Sequence, residues 1–576
     1  MKGVISWIGI ILLSLFTEII KAQNPELNLI KYWNYRERLR KYFIAISPNN
    51  EKGTNIPASS ITGNGYRTLS WGDGNGCLQY YIGLLATEYR LLKLFGLDYT
   101  NTRNELFYAL KAVERLDITA EEYFRRGLNK PVFCTLAGTI CIYSDTLDHN
   151  GFFIRDDVDE SIKIFNNNLN KYTISSTYVN HINKNGLPYE QSKDNVWHYL
   201  LNLALVVKLV DDNEIKQLAT DISYRMIKWM HKSLTYEVTL PCLDWPPLCT
   251  EKIVDLCWRI INPITNKDVE DGAKVDEIYG GLCCTSIDGF SYGFAEAGNW
   301  ITKKELHYSC SKDKKNWFIN NILSPPFIVV NDKVTHSYDT YSYRSLATVA
   351  GFDTIGGWDT YEFLVLRSYE DYDHPYEHFP LIYTILHGRS SKFDDYYQTQ
   401  FERYEDLLNS APTCGTYNFG KNNIPSRPSN WSVSNRLVWP EKIDKDDELG
   451  YYNGIDYMLL HNLFWLTYIV PETVDSYNNS GCILPHTVDF LGIPLYTIGE
   501  KTNPLIINAR SSINFSCKIK ANGGAKFFSK EINLMAGFEV EKGGIFSTEK
   551  GIFIPKVNKI YCSYKKYVPT TCINIP

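Results

Sequence analysis

Acidic, imidazole and aromatic side chains gather at a few points of this chain, each beside a glycine-rich or aromatic loop. Trp71-Gly72-Asp73-Gly74-Asn75-Gly76 runs straight into a long apolar helical pattern. A tryptophan face stacks on the apolar face of a sugar ring, and Asp73 would stand at its edge as an acid. An Asp cap before a glycine turn explains the same residues without chemistry. Asp194 and His198 are four apart, so they share one helical face. A carboxylate there raises the histidine pKa and makes an acid–base pair, whereas a lone Asp in a first turn simply complements the helix dipole. Trp197 adjoins this pair as a further aromatic contact. Asp456 and His461 repeat the theme one residue wider, with Asn453 and Glu448 in the loop before them.

Asp156-Asp157 follow Arg155 and the aromatic pair Phe152-Phe153. Glycosidases place two carboxyl groups about 5–5.5 Å apart when they retain configuration and about 6.5–9.5 Å apart when they invert it. Successive residues diverge, so at most one of this pair faces a site, with Asp73 or Asp194 as its partner. Capping and solvation explain the run equally. Asp339, Tyr341, Trp358, Asp359, Glu296, His374, Glu377, His378 and His387 complete the polar inventory, and Glu88 lies mid-helix. His374 and His378 have the spacing of a helical zinc site. Pro375 interrupts that turn, however, and the His-Glu-x-x-His order is missing, so no metal is expected. No P-loop, dinucleotide fingerprint or Gly-x-Ser-x-Gly elbow occurs, and no cofactor is expected. The candidate catalytic groups are therefore Asp73, Asp156, Asp194, His198 and His461. The candidate substrate contacts are Trp71, Trp197, Tyr341, Trp358, Asn453 and Asp456.

Helices must position these groups. Residues 78–95 carry Leu84, Leu85, Leu91 and Leu92 at helical spacing, and residues 102–124 carry Leu106, Leu110, Val113 and Leu116. Thr102 with Glu105 reads as a capping box for the second of these. Residues 195–209 and 215–230 form the next pair, and 343–350, 358–368, 377–386 and 455–470 follow. Roughly ten to twelve helices in out-and-back pairs exclude a doubly wound sheet. No repeat of constant period marks a solenoid. Long irregular loops at one rim of such an array are where a site is built.

The chain has 576 residues, 44% hydrophobic, with 65 acidic against 59 basic side chains and a net charge of −6. That balance gives no general attraction to nucleic acid. Lys2 and the apolar residues 4–16 read as a signal peptide cleaved before Gln23, too short to span a bilayer. No later stretch is long and apolar enough to span one either. The protein is expected to be secreted or at the cell surface, where the fourteen cysteines default to pairing. Cys134 and Cys141, the group Cys242, Cys249 and Cys257, and Cys562 with Cys572 allow local bridges. Connectivity stays open.

After Pro471 the texture changes to short alternating strands broken by Asn522-Gly523-Gly524, Gly537 and Gly543-Gly544. The stretch Ile532-Asn533-Leu534-Met535-Ala536-Gly537-Phe538, followed by Gly543-Gly544-Ile545-Phe546, resembles the three-coathanger stack, a tail domain of secreted Bacteroidetes-type proteins. That resemblance implies positive-φ corners at Gly537 and Gly543, with Phe538 and Phe546 stacked in a narrow core. The helical part is similar in texture to the α/α toroids of polysaccharide lyases and glycoside hydrolases. The similarity lies in Ser192-Lys193-Asp194-Asn195-Val196-Trp197-His198 and in residues 453–462, each opening an apolar helix. It implies carbohydrate chemistry by analogy.

The expected fold is mainly α: a toroid-like ring of helical hairpins, followed by a small all-β C-terminal domain. Residues 1–22 are the signal peptide, 23–471 the helical domain, 472–483 a linker, 484–556 the β domain and 557–576 a tail. The expected function is an exported glycoside hydrolase or polysaccharide lyase acting on a polysaccharide or glycan. The alternative is a non-catalytic secreted or cell-surface binder of glycan or protein. Substrate and oligomeric state are not legible.

Overall fold

A computed structural model describes residues 25–62, 67–72, 75–125, 149–179, 190–232, 290–306, 345–351, 378–388 and 450–469, with single residues and short strands elsewhere. Asp73, Tyr341 and Trp358 lie outside the described residues, as do the signal segment, the expected linker, the expected helix at 358–368, Gly537, Phe538 and Gly543.

The chain divides into two compact units: Met1–Asn34, Ser391–Thr413 and Cys482–Cys572 in one, and Tyr35–Ser390, Cys414–Gly481 and Ile573–Pro576 in the other. The larger unit is mostly helical with a small sheet. Its main described helices are α1 (Pro25–Tyr42, shared across the boundary), α2 (Asn75–Leu94), α3 (Thr100–Arg125), α4 (Lys193–Leu209), α5 (Asn213–Lys232), α6 (Phe290–Thr302), α7 (His378–His387) and α8 (Ile455–Phe464), and residues 345–350 are helical as well. A π turn over Trp465–Ile469 extends α8. The leucine stripes read from the sequence are buried, including Leu84, Leu85, Leu91, Leu106 and Leu110.

Cross-contacts give the helix directions. Near the start of α2, Gln79 Nε2 donates to Asn195 O near the start of α4 at 3.0 Å. One turn on, Gly83 faces Asn202. Asn453, just before α8, bonds Cys77 Sγ at 3.4 Å, and Asn462 Nδ2 donates to Thr87 Oγ1 at 3.2 Å. His378, which opens α7, lies 6.0 Å from the Tyr80 ring, while Lys208 near the end of α4 reaches Leu386 O near the end of α7 at 3.1 Å. Helices α2, α4, α7 and α8 therefore run parallel, with their first turns at one end. Within this set α2 packs on α4 and α8, and α7 packs on the same two.

Helices α3 and α5 run the other way. They begin where α2 and α4 end, and Arg103 of α3 pairs with Asp212 and Glu214 at the start of α5 at 2.9 and 2.7 Å. The cap of α3 differs from the one expected. Thr100 N donates to Asp98 Oδ1 at 2.9 Å, so the helix opens earlier. Thr102 and Glu105 instead point inward, where Thr102 Oγ1 donates to Glu88 Oε1 at 2.5 Å. Tertiary ion pairing overrides the local capping box.

A five-stranded sheet joins distant segments in the order β4-β5-β1-β2-β3, with β1 Ser60–Thr62, β2 Thr68–Ser70, β3 Thr173–Ser175, β4 Tyr417–Asn418 and β5 Gly450–Tyr452. Only β2–β3 is parallel. Strand β2 leads through Trp71 towards α2, and β5 leads through Asn453-Gly454 into α8. The sheet thereby fixes the first turns of both helices.

In the other unit, the described strands are β6 (Thr487–Phe490), β7 (Leu505–Asn508), β8 (Ser512–Phe515), β9 (Lys518–Ile519), β10 (Gly524–Ser529), β11 (Glu531–Leu534), β12 (Glu539–Val540) and β13 (Ile545–Lys550). None of these pairs with its sequence neighbour. They form three parallel sets, β6-β8-β11, β7-β10-β13 and β9-β12. The registers align Val488 with Ile513 and Ile532, and Phe490 with Phe515 and Leu534. The glycine-rich breaks thus separate stacked coils, with like side-chain types at matching positions. Phe546 is half-buried.

Elsewhere, Cys134 stands directly opposite Cys141 across an antiparallel pair, a backbone arrangement compatible with a local bridge.

Candidate functional site

The shared N-terminal end of the parallel helices collects the groups with chemistry. Tyr80 of α2, His198 of α4 and His378 of α7 converge there, with the Tyr80 ring 5.4 Å from His198 and 6.0 Å from His378. All three are buried. His198 also lies against Trp197. Burial alone pushes the His198 imidazole well below its usual range, so it is neutral at pH 7. That corrects the sequence expectation, which had Asp194 raising it. Asp194 is instead half-buried and engaged by the Ser192 hydroxyl at the start of α4. Geometry makes it part of the cap, beside the Ser192–Asn195 capping box.

Several other candidates are taken up in structural hydrogen bonds. Trp71 is 1% exposed and its indole donates to Ile56 O at 3.0 Å, which leaves no open face for a sugar. Asp156 is fully buried and accepts from Val158 N at 3.1 Å, Thr177 N at 2.9 Å, Tyr178 N at 3.3 Å and the Thr177 hydroxyl. Burial raises its carboxyl to about 6 against the pull of those donors. Asp157 accepts from Arg115 at 2.8 and 3.1 Å and from Gly53 N at 3.1 Å. The two carboxylates therefore staple one loop from opposite sides, as diverging neighbours must.

Asn453 turns the chain into α8. Its Oδ1 accepts from Ile455 N at 2.9 Å, and its Nδ2 donates to Ala58 O at 2.8 Å. Gly454 follows at φ +81°, and a Cβ there would lie 2.6 Å from the Tyr35 ring. Asp456 accepts from Tyr457 N at 2.8 Å. His461 is buried, with Nδ1 3.2 Å from Asn462 Oδ1 and its ring 5.9 Å from Trp465. It sits a turn and a half down α8, away from the helix start.

The sequence reading missed Tyr80 and left His378 in the general inventory. The usable signal was Tyr80, Leu84, Thr87 and Leu91 on one face of α2, which places a phenol at the head of an otherwise apolar stripe.

A second titratable cluster lies between α3 and α5. A small cleft, with room for about one water molecule, is lined by Glu114, Asp117, Phe153 and Arg225 among others. Asp117 accepts from Gly151 N at 2.8 Å and Asn150 N at 3.2 Å. Burial nevertheless pushes its carboxyl up to about 8, helped by neighbouring Glu121. The folded protein therefore holds a proton that the unfolded chain releases near pH 4. Stability should fall as pH rises from about 4 to about 8. Unfolding free energies measured at pH 5 and pH 8 should differ less in Asp117→Asn than in the wild type. An equal difference in both proteins removes Asp117 from the pH dependence.

Among the described residues, no group of three or more His, Cys, Asp or Glu is placed to hold a metal ion. No described helix is long and apolar enough to cross a membrane.

The chain matches no protein-family description and no curated protein. Among solved structures, the crystal structure of an unsaturated glucuronyl hydrolase specific for heparin overlaps it with a TM-score of 0.23 at 11% identity, over 76% of this chain and 95% of that one. An overlap that low carries no argument about fold or chemistry. What this chain does is therefore read from its own residues.

Proposed function

We propose that this is an exported carbohydrate-active enzyme, a polysaccharide lyase or glycoside hydrolase, and that α2, α4, α7 and α8 line the inner wall of an α/α toroid. The observation that carries this is the shared direction of the four helices, with Tyr80, His198 and His378 brought together near their first turns. Tyr80, His198 and His378 are 1%, 2% and 4% exposed, so this chemistry requires substrate to displace the residues that cover them. A neutral imidazole beside a phenol can then remove the proton alpha to a uronate carboxyl and return one to the leaving oxygen. Hydrolysis would instead need two carboxyl groups across the substrate. Asp156 is committed within its loop and Asp194 is engaged by Ser192 at the α4 cap, so hydrolysis would draw on Asp73 and would need Asp194 released from that cap.

A panel of neutral and uronic polysaccharides tests this, with wild type, His378→Ala and Asp194→Asn compared. Elimination yields a product absorbing in the ultraviolet, while hydrolysis yields only new reducing ends. Loss of turnover by about 10²-fold or more in His378→Ala is the expected result. Full turnover in that variant removes the trio from the mechanism.

The second reading is a non-catalytic glycan binder. It is favoured by the consumption of Asp156, Asn453 and Asp456 in structural hydrogen bonds. Binding to a polysaccharide of the panel without turnover of any member supports it.

A further inference from the structure

At the opposite end of the parallel helices, α4, α6 and α7 finish together and bring three basic side chains to one place. Lys208 of α4 and Lys303, immediately after α6, are both exposed. Lys303 Nζ lies 3.4 Å from the centre of the Trp300 ring. His387, the last residue of α7, meets the same ring edge-on at 5.5 Å. Cations at helix C-termini often do no more than complement the dipole, and Lys208 does this by donating to Leu386 O. Lys303 does not: its nitrogen goes to the indole.

Two further facts set Lys303 apart. Its backbone is left-handed at φ +57°, at the position after a helix end where glycine is favoured because it lacks a Cβ. Its ammonium is also lowered by burial and then by Lys208, with no carboxylate acting on it among the described residues. Lys208 and Lys303 push the His387 imidazole down in turn, after burial, to about 4. Lys208 and Lys303 thus act on the same His387 and on each other, with Lys303 on a left-handed backbone against Trp300. An anion would relieve that repulsion.

We propose that Lys208, Lys303 and Trp300 form a binding site for the sulfate or carboxylate groups of an anionic polysaccharide. The polymeric nature of the ligand rests on the glycan reading above; the anion chemistry does not. Charge-assisted contacts from two lysines hold the anionic group, and the indole keeps the Lys303 ammonium in place.

The test uses the full chain and measures binding, not turnover. Dextran sulfate, polygalacturonate, uncharged dextran and sodium sulfate alone are titrated into wild type, Lys303→Gly and Lys208→Ala. Lys303→Gly is the informative variant, because glycine relieves the backbone strain. Its melting temperature should be unchanged or higher while polyanion affinity falls by about tenfold. Saturating dextran sulfate should also raise the His387 titration midpoint, read from its ring NMR signals, because a nearby anion favours imidazolium.

Equal affinity in wild type and Lys303→Gly, or no binding of either polyanion, overturns the proposal. Sodium sulfate binding as tightly as the polymers overturns the polysaccharide assignment and leaves a free-anion site. Because turnover is not read, failure of the enzymatic reading and failure of this site are separately visible.

Discussion

Replacing Gly151 with alanine should cost about 3 kcal/mol or more and leave little folded protein at 37 °C. Gly151 has φ +93°, and a Cβ on it would lie 2.3 Å from Arg225 O, 2.4 Å from Arg225 C and 2.7 Å from Met226 N. Those are backbone atoms within α5, held by the helix ladder, so no side-chain rotation relieves the clash. The loop itself is pinned from the other side, because Gly151 N donates to Asp117 of α3. Phe153, two residues on, exchanges bonds with Gln191 just before α4: its N donates to Gln191 Oε1 at 2.7 Å, and its O accepts from Gln191 N at 3.0 Å. Moving the loop away from α5 would therefore strip contacts from α3 and from the approach to α4 together. Urea denaturation of purified protein measures the loss. A variant within about 1 kcal/mol of wild type would show that the loop shifts freely, and the view of it as a fixed bracket would be wrong.

Removal of the Arg36 guanidinium should be about as damaging. Arg36 bonds Glu88 at 2.7 and 3.3 Å and Glu105 at 2.8 Å, all three residues being buried. Tyr81 donates to Glu105 at 2.5 Å, and Arg40 bonds its other oxygen. Burial by itself would raise the Glu105 carboxyl, but the Arg36 and Arg40 guanidiniums outweigh it and hold the group below its usual range. Arg36→Met takes the guanidinium from two buried acids, with the partly exposed Arg40 still bonded to Glu105 and the Thr102 hydroxyl to Glu88. Breaking one side of a buried ion pair costs about 3–5 kcal/mol, whereas removing all partners together can be nearly neutral. The triple variant Arg36→Met/Glu88→Gln/Glu105→Gln should therefore recover much of the loss. If it melts no higher than Arg36→Met, uncompensated charge is not the cause.

The same network gives a pH signature of definite sign. A carboxyl with a depressed folded pKa contributes stability that is present above its unfolded pKa and disappears as pH falls through the folded value. For Glu105 that means loss on acidification below about pH 4.5, opposite in direction to the loss that Asp117 produces on raising pH.

Much of the helical frame was legible in the sequence because apolar residues at three- and four-residue spacing bury one face whatever they pack against. Residues 78–95, 102–124, 195–209 and 215–230 all lie in helices close to those bounds. Element ends were less legible. Thr102 and Glu105 have the spacing of a capping box, yet Arg36 and Glu88 offered them stronger partners from other segments.

Residue type and spacing thus determined that this chain builds paired helices and a strand-rich tail, and where carboxylates and rings sit along them. The tertiary structure alone decided which of those groups are committed elsewhere. Trp71 looks the same in sequence whether its face is open or its indole is bonded to Ile56 O, and Asp156 looks the same whether it faces substrate or closes its own loop. Convergence was equally invisible: Tyr80, His198 and His378 lie on three helices, each more than a hundred residues from the next, and nothing local encodes their meeting. Periodicity reports which face of an element is buried. Only packing between elements reports what that face meets, and hydrogen-bonding capacity spent on one partner is unavailable to another.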